Sequence, residues 1–473
     1  MSLSVKNRVF FGLGGAVYAV KEAAYIVFVL IFYNQVLGLS GTATGFVLFL
    51  GVLWDAISDP LVGTWSDRFR SRWGRRHPFM VAGAIPLGIG FVAMFAPPQL
   101  VIDHAGLLAS WLLFWSLWIR TAVTLFALPH LALTTEFTND YHERSQLLGT
   151  RMGFLFLTTV GLPAFGLFFI FGISDGEDGR FIAANYATYG WLSCILIWLL
   201  AAITIWGTRE QIHSSEELIV EDEGLQGLLA DFLKILHNLN FRQILYYDLA
   251  ASASYGISIT LLTLSSLYYW ELSAIQTSIL LAGPALLAVP LALLSIKPLG
   301  KKYPKHKILN IAIAMMLLDA VWMYPLRMHD LIPANGHWLI FAMLLLQMFF
   351  WLYLFVLRVV AAMSIVADLT DAHELEYGTR QEAGLYSALS FTSKLAAAAG
   401  PLFGGIVLDV IGLSEGTLPG TVGSGALDGL AVATAFGTVV PLLLAWYFTT
   451  KIFMSEEQLQ DIQAQIAARK VAA

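Results

Sequence analysis

Two aspartates, Asp55 and Asp59, stand four residues apart in Trp54-Asp55-Ala56-Ile57-Ser58-Asp59-Pro60, inside a long apolar stretch. On a helix that spacing puts both carboxylates on one face, about one turn apart. Two like charges so close in an apolar setting demand neutralisation by a cation or a proton. With the Ser58 hydroxyl nearby, the pair could supply hard oxygen ligands to Na+ or share a proton. The alternative is a structural ion pair with a neighbouring helix.

Lys394 lies within Phe391-Thr392-Ser393-Lys394-Leu395-Ala396-Ala397-Ala398-Ala399-Gly400, midway through another apolar run. The small residues let a second helix approach closely, which would carry the ammonium toward a carboxylate. There it either answers the aspartate pair and competes with a coupling cation, or forms a permanent salt bridge. Further charges within apolar runs are Lys21, Glu22, Arg120, Arg151, Asp319 and Arg358. Mixed signs suit mutual pairing around a wet cavity better than a one-sign ion pore. Lys21, Glu22, Arg120 and Arg151 join Lys394 as candidate coupling and substrate-cavity residues. Arg151 has the donor geometry to bind an acidic gate residue or a substrate hydroxyl or phosphate. Which charges pair with which stays open at this level.

Other chemistries lack their residues. Gly12-Leu13-Gly14-Gly15 has neither the strand-turn-helix setting nor the basic residue of a nucleotide loop, and there is no Walker lysine motif, metal-protease helix or nucleophile elbow. Trp111, Trp115 and Trp118 make a helical stripe, which suits an interface belt or lipid-facing packing as well as sugar stacking. Cys194 is the single cysteine, so there is no internal disulfide and no thiolate cluster.

The elements that must position these groups follow from composition. Of 473 residues, 58% are hydrophobic and 13% charged, against roughly 45–50% and about 25% in soluble domains. The net charge of −6 comes without a clustered basic surface, which argues against nucleic-acid binding. Apolar runs long enough to cross a bilayer number twelve, centred near Ala24, Trp54, Gly88, Arg120, Val160, Ile197, Ile257, Ala285, Leu317, Tyr353, Ala396 and Val439. The first carries Lys21 and Glu22 and outlasts a signal peptide, so it reads as a retained span.

Arg68 to Arg76 follow the second run and Lys301 to Lys307 the eighth, which places both loops in the cytoplasm, and an even span count puts both termini there too. The acidic interval Thr208–Asn240 divides six spans from six, and the two basic loops recur at matching places in the halves. The expected organisation is a six-helix half over 1–207, a cytoplasmic central loop over 208–241, a second six-helix half over 242–452 and a tail helix over 453–473. Ser455 with Gln458 caps that tail, and Leu459, Ile462 and Ile466 give it an apolar face. Two six-helix halves around a midplane cavity are a secondary-transporter plan.

Across nearly its whole length the chain resembles the glycoside–pentoside–hexuronide:cation symporters of the major facilitator superfamily, and also the vertebrate lysophospholipid symporters. The residues that carry the resemblance are Asp55 to Gly63, Asp67-Arg68, Arg70 to Arg76, Glu143-Arg144, Arg151-Met152, Ala367-Asp368, Asp371, Gly378 to Glu382 and Lys394. It implies an all-α membrane protein of twelve helices in the major facilitator fold. It further implies cation binding at Asp55 and Asp59, with Ser58 and Thr124 contributing oxygen, Lys394 linking cation and substrate sites, and a cytoplasmic gate of Arg144 with Asp368 and Asp371. The sequence departs from the sugar-binding pattern in three places. Ala19 and Ala127 replace acids of spans one and four, and Leu131 replaces an aromatic just beyond Pro129.

The expected function is therefore cation-coupled symport of a glycoside or similar polar organic solute by alternating access, with a sodium-coupled lysolipid transporter as the alternative substrate reading. A non-transporting receptor or scaffold would account for the spans but not for the buried Asp55, Asp59 and Lys394. No enzymatic activity and no cofactor are expected. The coupling ion is Na+ or H+, with Asp55 and Asp59 as the metal position if it is Na+. The expected partners are a small-molecule substrate, a monovalent cation and the lipid bilayer, with no nucleic acid. The chain is expected to act as a monomer in a bacterial inner membrane.

Overall fold

With no water to satisfy backbone groups inside a bilayer, an apolar run must close its own hydrogen bonds, and these runs do so as helices. The computed structural model describes residues 4–138, 140–174, 176–210, 239–377, 382–413, 416–452, 461–462 and 464–465. Among them are twelve helices long and apolar enough to span a membrane. In chain order these are α1 (Val5–Val27), α2 (Gly41–Arg68), α3 (His77–Phe95), α4 (Ala105–Phe137), α5 (Glu143–Phe169) and α6 (Ala183–Gly207). Then come α7 (Phe241–Tyr269), α8 (Ala274–Lys302), α9 (Lys305–Met328), α10 (Trp338–Thr370), α11 (Leu389–Val410) and α12 (Ser424–Thr449). Each of the twelve expected centres falls inside one of them.

Local chemistry sets several starts. Ser4 and Ser40 accept from the amides of Asn7 and Ala43, and Asp140 from that of Glu143, which satisfies N-terminal donors that have no helical partner. Pro60 sits within α2 and has no N–H, so the Ala56 carbonyl, between the two aspartates in sequence, loses its helical donor. Outward faces carry large apolar side chains such as Leu157, Phe169, Leu286, Leu294 and Leu318, as lipid contact requires. The residues 211–238 of the expected central loop, the Gly378–Gln381 motif and most of the expected tail helix lie outside the described residues.

The chain forms two compact units. One comprises Met1–Asp222 with Leu272–Ser278 and Pro401–Val422. Its helices approach through glycines: a Cβ on Gly15 of α1 would lie 2.5 Å from the Arg151 carbonyl oxygen on α5, and one on Gly83 of α3 would lie 2.6 Å from that of Ala122 on α4. Phe28, Phe32, Phe95, Phe171, Tyr186 and Tyr189 form a continuous aromatic cluster in this unit. The Asp409 carboxylate accepts from the Gly41 and Thr42 amides at 2.8 Å each, at the positive end of the α2 dipole.

The other unit comprises Glu223–Glu271, Ile279–Gly400 and Gly423–Ala473. Its core includes Phe241, Ile244, Leu309, Ile313, Leu357, Ile365 and Leu442. Tyr255, Trp351 and Phe355 stack beside that core.

Candidate cation and substrate site

The α2 carboxylates face α4, and the four-residue spacing on α2 is matched on its neighbour. Arg120 Nη1 lies 2.5 Å from Asp55 Oδ2, and the Thr124 hydroxyl donates to Asp59 Oδ1 at 2.8 Å. Because 55 to 59 and 120 to 124 are each one helical turn, the two contacts are successive rungs between the same two helices. Trp54 adds a donor bond from its indole to Thr121 Oγ1 at 2.8 Å. Ser58 is 4% exposed, and its hydroxyl oxygen has no protein partner.

The α1 helix closes this cluster. Tyr25 places its ring 5.2 Å from the Arg120 guanidinium carbon, and its hydroxyl lies 3.1 Å from that of Ser116. Lys21 is buried and pairs with Glu22 at 2.6 Å, while the Tyr18 ring lies 5.0 Å from the Lys21 ammonium. Two buried cations and their anions thus occupy the same helix bundle, each compensated locally as a low-dielectric setting demands. The pairing that the sequence left open is now specific: Arg120 with Asp55, Lys21 with Glu22. The Arg151 Nε in α5 is buried without a hydrogen-bond partner.

Sequence reasoning missed Glu136. The basic loop after α2 reads as a set of solvated charges, yet Arg75 and Arg76 are buried around the Glu136 carboxylate, at 2.8 and 3.5 Å, and Arg76 also reaches Asp67 at 2.5 Å and donates to the Ser66 hydroxyl. The doubled arginine after a glycine was the available signal. Tyr18, Tyr25 and Asp409 were also missed, since a tyrosine in an apolar run, or an acid close to a span's end, has no distinguishing pattern.

Of the expected gate residues, Arg144 points a guanidinium nitrogen at the Thr138 carbonyl, 3.5 Å away. Asp368 accepts two bonds from the Lys305 ammonium, both at 2.8 Å. The Asp371 side chain lies outside the described residues. In the second unit Lys394 is exposed on α11 beside Ser393, whose hydroxyl bonds the Asp248 carboxylate. Arg358 donates to the Tyr247 hydroxyl at 3.2 Å. Asp319 helps to line a cavity of about 60 Å³ with Ser258, Gln347, Trp351, Thr434 and Thr438.

This geometry can be set against known proteins. A family described as MFS/sugar transport protein matches residues 10–452. The chain belongs to that family. It is an integral multi-pass membrane protein of the major facilitator type. A putative glycoside/cation symporter of Escherichia coli, YagG, is 24% identical over 99% of this chain and 95% of its own length. Other matches are partial: the chain spans 28% of the length of the symporter sll1374 of Synechocystis, at 34% identity over 32% of this chain. It spans 30% of a sodium-dependent lysophosphatidylcholine symporter of Danio rerio, at 32% identity over 34% of this chain. Among solved structures, the nucleoside transporter NupG superposes with a TM-score of 0.62 at 12% identity, covering 96% of this chain and all of its own. At that identity the likeness speaks for the fold alone.

Proposed function

We propose that this MFS/sugar transport protein carries a glycoside or similar polar organic solute together with Na+ or H+, by alternating access. The observation that supports the reading most directly is the pair of rungs joining α2 to α4, where two carboxylates meet one cationic and one neutral donor at membrane depth. A monovalent cation arriving at Asp59, with the Thr124 and Ser58 oxygens to ligate it, changes the net charge of the cluster. A state that binds the cation more tightly is then favoured, which is how a gradient drives a conformational cycle. Lys21, Glu22 and Arg151 offer charged hydrogen-bonding groups to a hydroxyl-rich substrate, and Lys394 is the coupling residue of the second unit. We further propose a monomer in a bacterial inner membrane, with both termini in the cytoplasm and with Arg144, Asp368 and Asp371 at the inner gate.

A lysolipid is the second substrate reading. Ala19 and Ala127 stand where sugar-binding relatives carry acids, and both are buried at 0% and 8% exposure, so neither position offers a hydroxyl acceptor. Uptake of radiolabelled glycosides and lysolipids into vesicles, with and without a Na+ or H+ gradient, tests both readings. Gradient-driven accumulation of a glycoside supports the first and of a lysolipid the second. Uptake that ignores every cation gradient overturns cation coupling.

A further inference from the structure

Asp319 lies well inside α9, and the proposed transport cycle has no role for it. Its Oδ2 is buried without a hydrogen-bond partner, and among the described residues no lysine, arginine or histidine forms an ion pair with the carboxylate. The Trp322 indole, one turn further along the chain, is its one side-chain hydrogen-bonding neighbour. The backbone here is tied to α10, whose Gln347 amide donates to the Asp319 carbonyl at 2.7 Å. The side chain stands at the cavity of about 60 Å³ within the second unit, which at roughly 10–15 Å³ for each water holds about four. Ser258, Gln347, Thr434 and Thr438 give that cavity polar walls. Of the residues from α7, α8, α9, α10 and α12 that line it, only Asp319 and Tyr324 titrate. Arg358 and Tyr255 line a smaller cavity that shares Ser258, Trp351 and Thr438 with the first. There the Arg358 guanidinium donates to the Tyr247 hydroxyl and lies 5.1 Å from the centre of the Phe355 ring.

We propose that Asp319 is a proton-binding site of the second unit, where the carboxyl is carried as the neutral acid and exchanges its proton with water in the adjoining cavity. An ionised carboxylate at membrane depth, with no cation at its side and one oxygen bare of donors, is costly enough that it takes up a proton instead. A proton needs only that one free oxygen. On Oδ2 it turns an unpartnered acceptor into a donor, which the cavity's hydroxyls or water can accept. The site is separate from the α2 carboxylates and stands whichever ion drives transport, so the second unit holds a proton of its own. Ionising Asp319 places a lone negative charge in the interior of that unit, and the state of this proton therefore biases any movement that admits water to the cavity.

The proton can be read directly, by infrared spectroscopy of the full chain in nanodiscs under stepped pH, with aspartate isotopically labelled at its side-chain carboxyl carbon. The label separates the carbonyl stretch of a protonated aspartic acid from lipid esters and from glutamic acids. The parent is expected to show that band at neutral pH and to lose it as the pH is raised. Asp319→Asn, which keeps the shape of the neutral acid, should lack the share of one carboxyl at neutral pH, and Asp319→Glu should replace that share with an unlabelled band. Asp59→Asn should keep it, which separates this site from the α2 carboxylates and from the transport reading built on them. A parent with no protonated aspartate at neutral pH overturns the proposal, whatever the variants do. So does a band that keeps its full intensity in Asp319→Asn or Asp319→Glu, or one that no rise in pH removes.

Discussion

Thr124 on α4 donates its hydroxyl hydrogen to Asp59 on α2 across 2.8 Å, one turn along from the rung at which Arg120 holds Asp55. Asp59→Asn keeps the hydrogen-bonding shape but removes the charge that a coupling cation would neutralise. Concentrative uptake should be lost while equilibrative binding of substrate persists, because coupling needs a cation-dependent charge change here. Thr124→Val, which removes one hydroxyl oxygen and nothing else of size, should weaken cation dependence without abolishing it. Gradient-driven uptake into vesicles measures both, and undiminished accumulation by Asp59→Asn would sink the assignment.

The other rung makes a stability prediction. Asp55 and Arg120 side chains are 13% and 7% exposed, so neither has water to fall back on. Asp55→Asn leaves a buried guanidinium uncompensated, at a cost of about 3–5 kcal/mol. Replacing both, Asp55→Asn with Arg120→Gln, should recover most of that loss, since two neutral polar groups of similar size can bond one another. Thermal melting in detergent compares the three proteins. Equal melting temperatures for the single and double variants would mean that the pair is solvated after all.

Much of this was legible in the sequence, and the reason is the bilayer. Its thickness fixes the run length, so counting apolar residues finds helices without any tertiary knowledge, and the twelve runs became the twelve spans. The i, i+4 spacing of Asp55 and Asp59 survives for the same reason, being a property of one helix. What could not be read was which helix stood opposite. Arg120 and Asp55 are 65 positions apart, and no local pattern announces that α4 supplies the partner. Glu136 failed more simply: it closes an apolar helix beside polar residues, where an acid looks like a solvated end. Its burial depends on two arginines folding back from a loop.

Glu136 is therefore expected to be a structural keystone of its unit. Its side chain is 1% exposed between Arg75 and Arg76 at 2% and 6%. Removing it in Glu136→Ala strands the buried Arg75 guanidinium and leaves Arg76 with Asp67 as its carboxylate partner, and should destabilise the protein by about 3–5 kcal/mol. Glu136→Gln keeps an acceptor for Arg75 and should lose less. Melting curves of the two variants rank them, and the reverse order would show that the retained acceptor plays no part in the cluster.

The Lys305–Asp368 contact bears on the proposed inner gate. The Lys305 ammonium donates to both Asp368 oxygens, so a gate that uses Arg144 requires Asp368 either to share its carboxylate or to exchange partners during the cycle. Accessibility of a cysteine placed in the cytoplasmic cavity should then change in Arg144→Ala, Asp368→Ala and Lys305→Ala alike. Reversing the charges of Arg144 and Asp368 together should partly restore the parent's labelling rate. If only the Lys305 and Asp368 reversal restores it, Arg144 is not part of the gate.

Two glycines in equally helical settings should respond oppositely to the same substitution. Exchange of glycine for alanine within a helix gains about 1 kcal/mol in backbone propensity wherever the methyl group has room. At Gly153 on α5 it has room, because nothing lies within 4 Å of the position a Cβ would take. At Gly256 on α7 the Cβ would lie 2.2 Å from the Ala397 carbonyl oxygen on α11, and the obstacle is backbone, which cannot rotate aside. Gly400 on α11 returns the contact, with its own Cβ position 2.2 Å from the Gly256 carbonyl oxygen, so the two helices touch main chain to main chain. Gly256→Ala must therefore force the helices apart, and overpacking of that kind costs about 1–3 kcal/mol, enough to cancel or outweigh the propensity gain. Gly153→Ala should melt at a higher temperature than the parent and Gly256→Ala at a lower one. A rise in both would show that α7 and α11 do not pack this closely in the membrane.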